Sequence, residues 1–229
     1  NRNFANKHSV EGMIKSFVRE QRQTQNLGTD IRNGIPRRNV SISGRAMYGY
    51  MNKYLVEFNF GYTGSENFKK GRQFGFFPAV ALGWNIAEED FIRDKFYWLD
   101  LFKVRYSLGE VGNDNFGGLR FAYLSTIEQG GSFNFGDPGS PNSYPGLRYT
   151  QISSENLTWE VARKQNLGFD INILNNTFSL TLDLYQETRR NIYVLRGQLP
   201  AIVGVSAQPW ANIGKMDNRG IDGNFAVNK

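Results

Sequence analysis

Large apolar side chains recur at every second position through four windows of the chain. Tyr54, Val56, Phe58, Phe60 and Tyr62 alternate with Leu55, Glu57, Asn59 and Gly61, and Phe102, Val104, Tyr106 and Leu108 alternate with Lys103, Arg105, Ser107 and Gly109. Leu167, Phe169, Ile171 and Ile173 interleave with Gly168, Asp170 and Asn172; Phe178, Leu180, Leu182 and Leu184 interleave with Ser179, Thr181 and Asp183. Successive side chains of a strand leave opposite faces, so each window predicts a strand with one apolar and one polar face. Less regular strands are predicted over Ser41–Met51, Gly75–Ile86 and Gly220–Asn228, the last running into the chain end as a cut would leave it. One segment resists this reading. Val10, Met13, Ile14, Phe17 and Val18 fit a helical spacing, whereas a strand must put Met13 and Phe17 on the face opposite Val10, Ile14 and Val18.

The connections alternate in length. Asn52-Lys53 and Asn175-Asn176-Thr177 read as tight turns whose Asn residues tolerate positive φ, while Gln21–Val40, Glu110–Leu157 and Thr188–Asn218 are long and rich in Gly, Asn, Ser and Pro. Short turns on one side and long loops on the other are the habit of transmembrane barrels. Ala87–Trp98 falls on the short side but has about a dozen residues; Glu88-Glu89-Asp90 before Phe91 and Ile92 predicts the acidic first turn of a short helix, its three carboxylates solvated. Tyr48, Tyr50, Tyr54, Tyr62, Phe77, Trp84, Tyr97, Trp98, Tyr106, Trp159 and Tyr185 lie in or near strand ends, where a bilayer places amphipathic rings. A soluble sandwich core would show the same alternation.

Composition removes several classes. With no Cys there is no disulfide framework, iron–sulfur cluster or thiol nucleophile, and the single His8 cannot furnish a multi-histidine metal site, so no cofactor is expected. No apolar run approaches the ~18 residues of a spanning helix, and the best, Phe74–Trp84, contains Gly75, Pro78 and Gly83. Mean hydropathy is −0.49, which leaves a barrel open because only every second strand residue would meet lipid. The net charge of +6 is scattered with acids between, a solvated surface rather than a nucleic-acid footprint. The first residues, Asn1–Lys7, lack an apolar stretch and cleavage site, so any export signal lies upstream or has been removed.

Six blocks in order carry a family pattern: Gly44–Phe68, Gly75–Ile86, Leu101–Asp114, Leu157-Thr-Trp-Glu160, Asn166–Ile171 and Asn212–Asp222. The chain resembles the SusC/RagA family of TonB-dependent outer-membrane transporters, over roughly residues 44–228. The resemblance implies an all-β fold: an antiparallel transmembrane β-barrel portion, about eight strands of a larger barrel of roughly 22, with long extracellular loops. Residues 1–229 are then part of a single barrel domain from its C-terminal half, without the plug domain or final strands. By the same resemblance Lys7–Val18 becomes a strand, and Gln21–Val40, Thr63–Arg72, Glu110–Leu157 and Thr188–Asn218 lie outside the cell. The implied function is energised uptake of an oligosaccharide or peptide across the bacterial outer membrane. The resemblance further implies that a SusD-like surface lipoprotein closes over the loops and that TonB acts through the absent plug.

Phe133, Phe135, Tyr144 and Tyr149 sit in the longest loop beside Asn134, Asp137 and Asn142, a mixture suited to stacking on sugars or packing on a protein lid; loop self-packing is the plainer alternative. Trp210 is either a contact residue or a girdle aromatic where the last loop rejoins its strand. Parity turns Lys103, Arg105, Ser107, Glu57, Asn59, Asp170, Asn172, Thr181 and Asp183 to the polar interior. Gly112–Gly118 lacks the order of a calcium loop and reads as a turn leaving a strand. No Gly-x-Ser-x-Gly elbow accompanies His8, so enzymatic activity is not expected. The rival is a non-transporting binding module, a soluble β-sandwich or a closed eight-stranded barrel with aromatic loops.

Overall fold

A computed structural model describes residues 2–4, 7–24, 31–197, 200, 202 and 207–228. Eight long strands carry the fold: β2 (His8–Gln21), β3 (Arg37–Tyr50), β4 (Tyr54–Ser65), β5 (Phe74–Asn85), β6 (Leu99–Asn113), β9 (Glu160–Ile173), β10 (Phe178–Leu195) and β11 (Trp210–Val227). With the three-residue β1 (Arg2–Phe4) they form one antiparallel sheet in the order β1-β2-β3-β4-β5-β6-β9-β10-β11. The order follows the chain except between β6 and β9, where β7 (Thr126–Phe135) and β8 (Asn142–Gln151) make a separate two-stranded hairpin. Among the described residues the sheet does not close on itself.

The register preserves the alternation across the sheet. Phe58 stands opposite Ala46 and Val80, Val80 opposite Leu108, Tyr106 opposite Leu167, and Leu182 opposite Phe169 and Gly223. One face is therefore a continuous apolar surface, and it lies open: Phe58 is 45% exposed, Leu82 49% and Phe225 62%. A soluble sandwich would bury this face against a second layer. The strand assignment for Lys7–Val18 holds as β2, paired with β3 along its length. Met13 and Phe17, opposite Arg45 and Ser41, occupy the polar face, which is what mimicked a helical period.

All four long connections leave one end of the sheet, and the short ones the other. Met51–Lys53 and 174–177 turn with positive φ at Met51, Asn52, Leu174, Asn175 and Asn176. Four expected boundaries are corrected, the first being Gln21–Val40, whose last four residues Arg37–Val40 already belong to β3. Thr63–Ser65 extends β4, and most of Thr188–Asn218 is strand, because β10 and β11 stay paired from Phe178↔Val227 out to Leu195↔Trp210. Glu110–Leu157 is not loop throughout, since its middle folds into the β7–β8 hairpin. Residues 25–30, 198–199, 201 and 203–206, inside two of the long connections, lie outside the described residues.

The buried core sits at the long-loop end rather than beneath the sheet. Phe68, Phe116, Ala122, Leu157, Trp159 and Tyr193 cluster there, with Phe77 packed against them. Pro78 helps to make room. It lacks the N–H that a ladder needs, and the pairing of β5 with β6 stops at Ala79↔Gly109. Phe77 enters the space beyond, where a Cβ on Gly112 would fall 1.9 Å from its ring.

Candidate functional site

At the long-loop end, Trp159 packs on Phe68 (4.8 Å between ring centroids) and meets Phe77 edge-on (5.3 Å). Phe116 joins Phe68 to Tyr193, and Trp210 stacks on Tyr193 at 5.5 Å. Arg120, only 8% exposed, ties three connections together: its guanidinium donates to the carbonyls of Arg32, Ile35 and Pro36 and to Glu66 at 2.9 Å. Asn113 and Asn115 accept from the backbone N–H groups of Asn115 and Gly118, while the Asp114 carbonyl accepts from Asn67, so the Gly112–Gly118 segment is tied into its own turns and to the neighbouring connection. The rim is thus a knitted platform. No local signal announces Arg120, whose partners lie 54 to 88 residues away.

The hairpin rises from this platform. Its root is held by Gln151, whose amide donates to the carbonyls of Phe121 and Leu124 and whose oxygen accepts from Arg32 at 2.6 Å, and by Ser154 N–H donating to the Ala122 carbonyl. Phe133 pairs with Tyr144, and Phe135 lies 5.9 Å from the Tyr144 ring. All three are more than half exposed. Tyr149 does not join them. It stands opposite Ile127, and beyond the register shift between Gln129 and Ser132 that row belongs to the other face of the hairpin. Trp210 is the first residue of β11, stacked on the core rim. The structure therefore groups Phe133, Phe135 and Tyr144 as an aromatic ridge, separates Tyr149 from it, and gives Trp210 a packing role beside Tyr193.

The polar face carries charge of both signs in bonded groups. Arg45 reaches Glu57 at 3.0 and 3.1 Å, and Asn59 donates to the same carboxylate at 2.8 Å. Arg105 makes a two-point contact with Asp170 (2.7 and 3.1 Å) and a second contact with Asp183 at 3.3 Å, while Asn166 donates to Asp183 at 2.7 Å. A shallow concavity of about 310 Å³ lies over this face, lined in part by Glu11, Glu57, Lys103, Arg105, Ser107 and Asn166. These groups can bind and orient polar matter. His8 sits at the opposite end of the sheet from the long loops, opposite Tyr50 in the register and 2.9 Å from the Tyr48 hydroxyl.

The short-turn end holds a cluster that the expected solvated carboxylates missed. A one-turn helix α1 (Asp90–Arg93) forms as anticipated. Glu89, just before it, is not solvated: its side chain is 12% exposed and accepts from Tyr54 Oη (2.6 Å), Trp84 Nε1 (3.0 Å) and Lys53 Nζ (3.4 Å). The Tyr54 hydrogen bond first, then that of Trp84, holds the Glu89 carboxyl below its ordinary value of 4.5. Partial burial pulls the Lys53 ammonium down, but the hydrogen bonds and charges of Asp90 and Glu89 outweigh it and raise it above 10.5.

Known proteins share this architecture. A family described as TonB dependent receptor-like, beta-barrel matches residues 13–228. TonB-dependent receptor SusC of Bacteroides thetaiotaomicron is 34% identical over 193 residues, covering 82% of this chain and 18% of SusC. TonB-dependent receptor P3 of Formosa agariphila is 32% identical over 194 residues, with the same coverage. The chain therefore spans about a fifth of the length of these relatives. Among solved structures, the RagAB peptide transporter superposes with a TM-score of 0.75 at 19% identity over 99% of this chain and 26% of that one. The siderophore receptor PirA from Pseudomonas aeruginosa gives 0.57 at 11% identity, over 95% of this chain and 40% of that one.

Proposed function

The chain belongs to the TonB-dependent receptor-like β-barrel family, and from that premise we propose that it forms part of the wall of an outer-membrane transporter importing a bulky nutrient, an oligosaccharide or a peptide. One observation carries the reading: the apolar face of the sheet lies open from Val40 and Ile42 on β3 to Phe225 and Val227 on β11. Lipid suits a face of that extent, because water would cost about 25 cal/mol for each Å² of apolar surface left exposed. The polar face, with its bonded arginines and carboxylates, then borders the lumen and whatever fills it.

The long-loop end is outermost in this reading, and the aromatic ridge of Phe133, Phe135 and Tyr144 meets substrate or a SusD-like lipoprotein lid. Flat rings beside Asn134, Asp137 and Asn142 suit stacking with polar fixation, whether on a sugar or on a peptide side chain. Energy would come from TonB through a plug. The chain's role is binding and passage, with no bond made or broken.

The test uses the whole source polypeptide, extracted in mild detergent and run in denaturing detergent with and without boiling. A band of about 100 kDa whose mobility changes on boiling is expected of a large closed barrel. A water-soluble species of about 26 kDa without a heat shift would replace transport with the soluble binding module.

A further inference from the structure

We propose that the 87–98 segment is an interfacial anchor, folded back onto the outer face of the sheet and seated in the phospholipid headgroup layer at the short-turn side. The proposal rests on the reading that the apolar face meets lipid. Tyr54 and Trp84 are paired across β4 and β5 and share that face with Val56, Phe58, Val80 and Leu82. Both donate to the same oxygen of Glu89. A carboxylate reached by two outward-facing rings and by Lys53 of the end turn sits at the outer edge of the sheet's short-turn end, which sets Glu89 on the lipid side of the rim rather than over the lumen.

The residues after Glu89 suit such a site. Phe91 is 60% exposed, Phe96 41%, Tyr97 89% and Trp98 44%, four aromatic residues within eight positions, and the Tyr54 and Trp84 rings that bond Glu89 are themselves exposed. Amphipathic rings gather at the headgroup level, where one edge is wet and the body apolar. The exposed Arg93, Asp94 and Lys95 carry both signs, matching headgroups that present phosphate and ammonium together. Glu89 fits for a separate reason. A carboxylate held at the edge of hydrocarbon is costly unless satisfied, and three donors converge on it. A water-filled space would demand no such saturation. A soluble partner for these rings is the competing occupant, and it predicts the opposite pattern of quenching.

The experiment uses the full-length protein, any cysteines elsewhere removed, reconstituted in phosphatidylethanolamine and phosphatidylglycerol vesicles. Single variants Phe91→Cys and Phe58→Cys carry an environment-sensitive fluorophore, and each is checked for the heat-dependent gel shift. Quenching is compared between nitroxide placed at the headgroup, nitroxide deep in the acyl chain, and aqueous iodide on both sides. The Phe91 label should be quenched several-fold more by the shallow nitroxide than by the deep one and be shielded from iodide; the Phe58 label should prefer the deep nitroxide. A Phe91 label open to iodide and indifferent to both lipids, with Phe58 still quenched, would overturn the anchor and leave the barrel standing, the surface then being free for a soluble partner. Lipid-insensitive labels at both positions would overturn the barrel reading as well. In a Glu89→Ala background the Phe91 label should shift toward iodide while Phe58 stays unchanged, and an unmoved label would remove Glu89 from the anchoring role.

Discussion

Arg105 reaches Asp183 across Gly168, which stands between them in the same row of β6, β9 and β10. A Cβ at Gly168 would lie 2.6 Å from the Asp183 carboxylate and 2.8 Å from the guanidinium carbon, so the missing side chain is what lets the ion pair span three strands. One arginine then serves two carboxylates. Arg105→Met should destabilise the barrel by about 1–3 kcal/mol, discounted from the cost of breaking a fully buried pair because the arginine side chain is 35% exposed. In an Asp170→Asn, Asp183→Asn background the same change should cost much less. Denaturant unfolding of the four proteins measures the coupling, and additive effects would mean the groups act independently.

The two faces of the sheet should differ sharply in their tolerance of charge. Phe58→Arg and Leu182→Arg put a cation on the open apolar face and should cost about 2–4 kcal/mol per site at mid-bilayer depth. Asn59→Arg and Thr181→Arg, one residue away on the polar face, should be milder. The folded fraction in the unboiled gel reads this directly, and equal losses on both faces would refute the assignment.

Gly112 should be the least replaceable glycine at the rim. With Phe77 1.9 Å from its missing Cβ, Gly112→Ala forces the ring out of the Phe68–Trp159 cluster, an overpacking cost of about 1–3 kcal/mol. Gly61→Ala meets nothing within 4 Å and serves as the control. Limited proteolysis of the long-loop end should be faster for the first variant alone. Identical cleavage of both variants would mean that Phe77 has another place to go.

Much of this fold was legible, because period-two alternation needs only neighbouring residues to be read. The windows at Tyr54–Tyr62 and Phe178–Leu184 became β4 and β10 with their faces as expected. Where the interior position was itself apolar, as at Met13 and Phe17, the period misled, and the resemblance rather than the pattern assigned the strand. The β7–β8 hairpin escaped notice because the Gly130-Gly131 irregularity and Pro145 interrupt its alternation. Phe133, Phe135 and Tyr144 could be picked out by composition, but alternation along β8 turns Tyr149 to the other face, and the register shift on β7 brings Phe133 and Phe135 beside Tyr144 rather than Tyr149. Arg120 and Glu89 were illegible for a different reason. The partners of Arg120 are 54 to 88 residues away, and at Glu89 the nearby Trp84 acts only together with Tyr54 and Lys53, 35 and 36 residues away, so no local pattern betrays either cluster.

Removing the hairpin tip should separate assembly from recognition. Gln151 and Ser154 fasten the root to Phe121, Ala122 and Leu124, well outside the tip, so trimming Gly130–Pro145 leaves the platform intact. Membrane insertion should be unchanged while binding of substrate or of the lipoprotein lid weakens. Lost insertion with unchanged binding would take the ridge out of recognition.

The Glu89 cluster should have a pH window with two edges. Its folded carboxyl lies below the ordinary 4.5, so its contribution is fully present above that value and is lost as pH falls through the depressed one. Lys53 is raised above 10.5, so its contribution is fully present below that value and is lost as pH climbs through the raised one. Between the two ordinary values the tie between the Met51–Lys53 turn and the 87–98 segment should be constant. The rotational freedom of a fluorophore on Phe91→Cys should stay level across that range and rise at either extreme. In Glu89→Gln the acid edge should disappear while the alkaline edge persists through the Lys53–Asp90 contact of 3.4 Å. An acid edge that survives the substitution would take the transition away from Glu89.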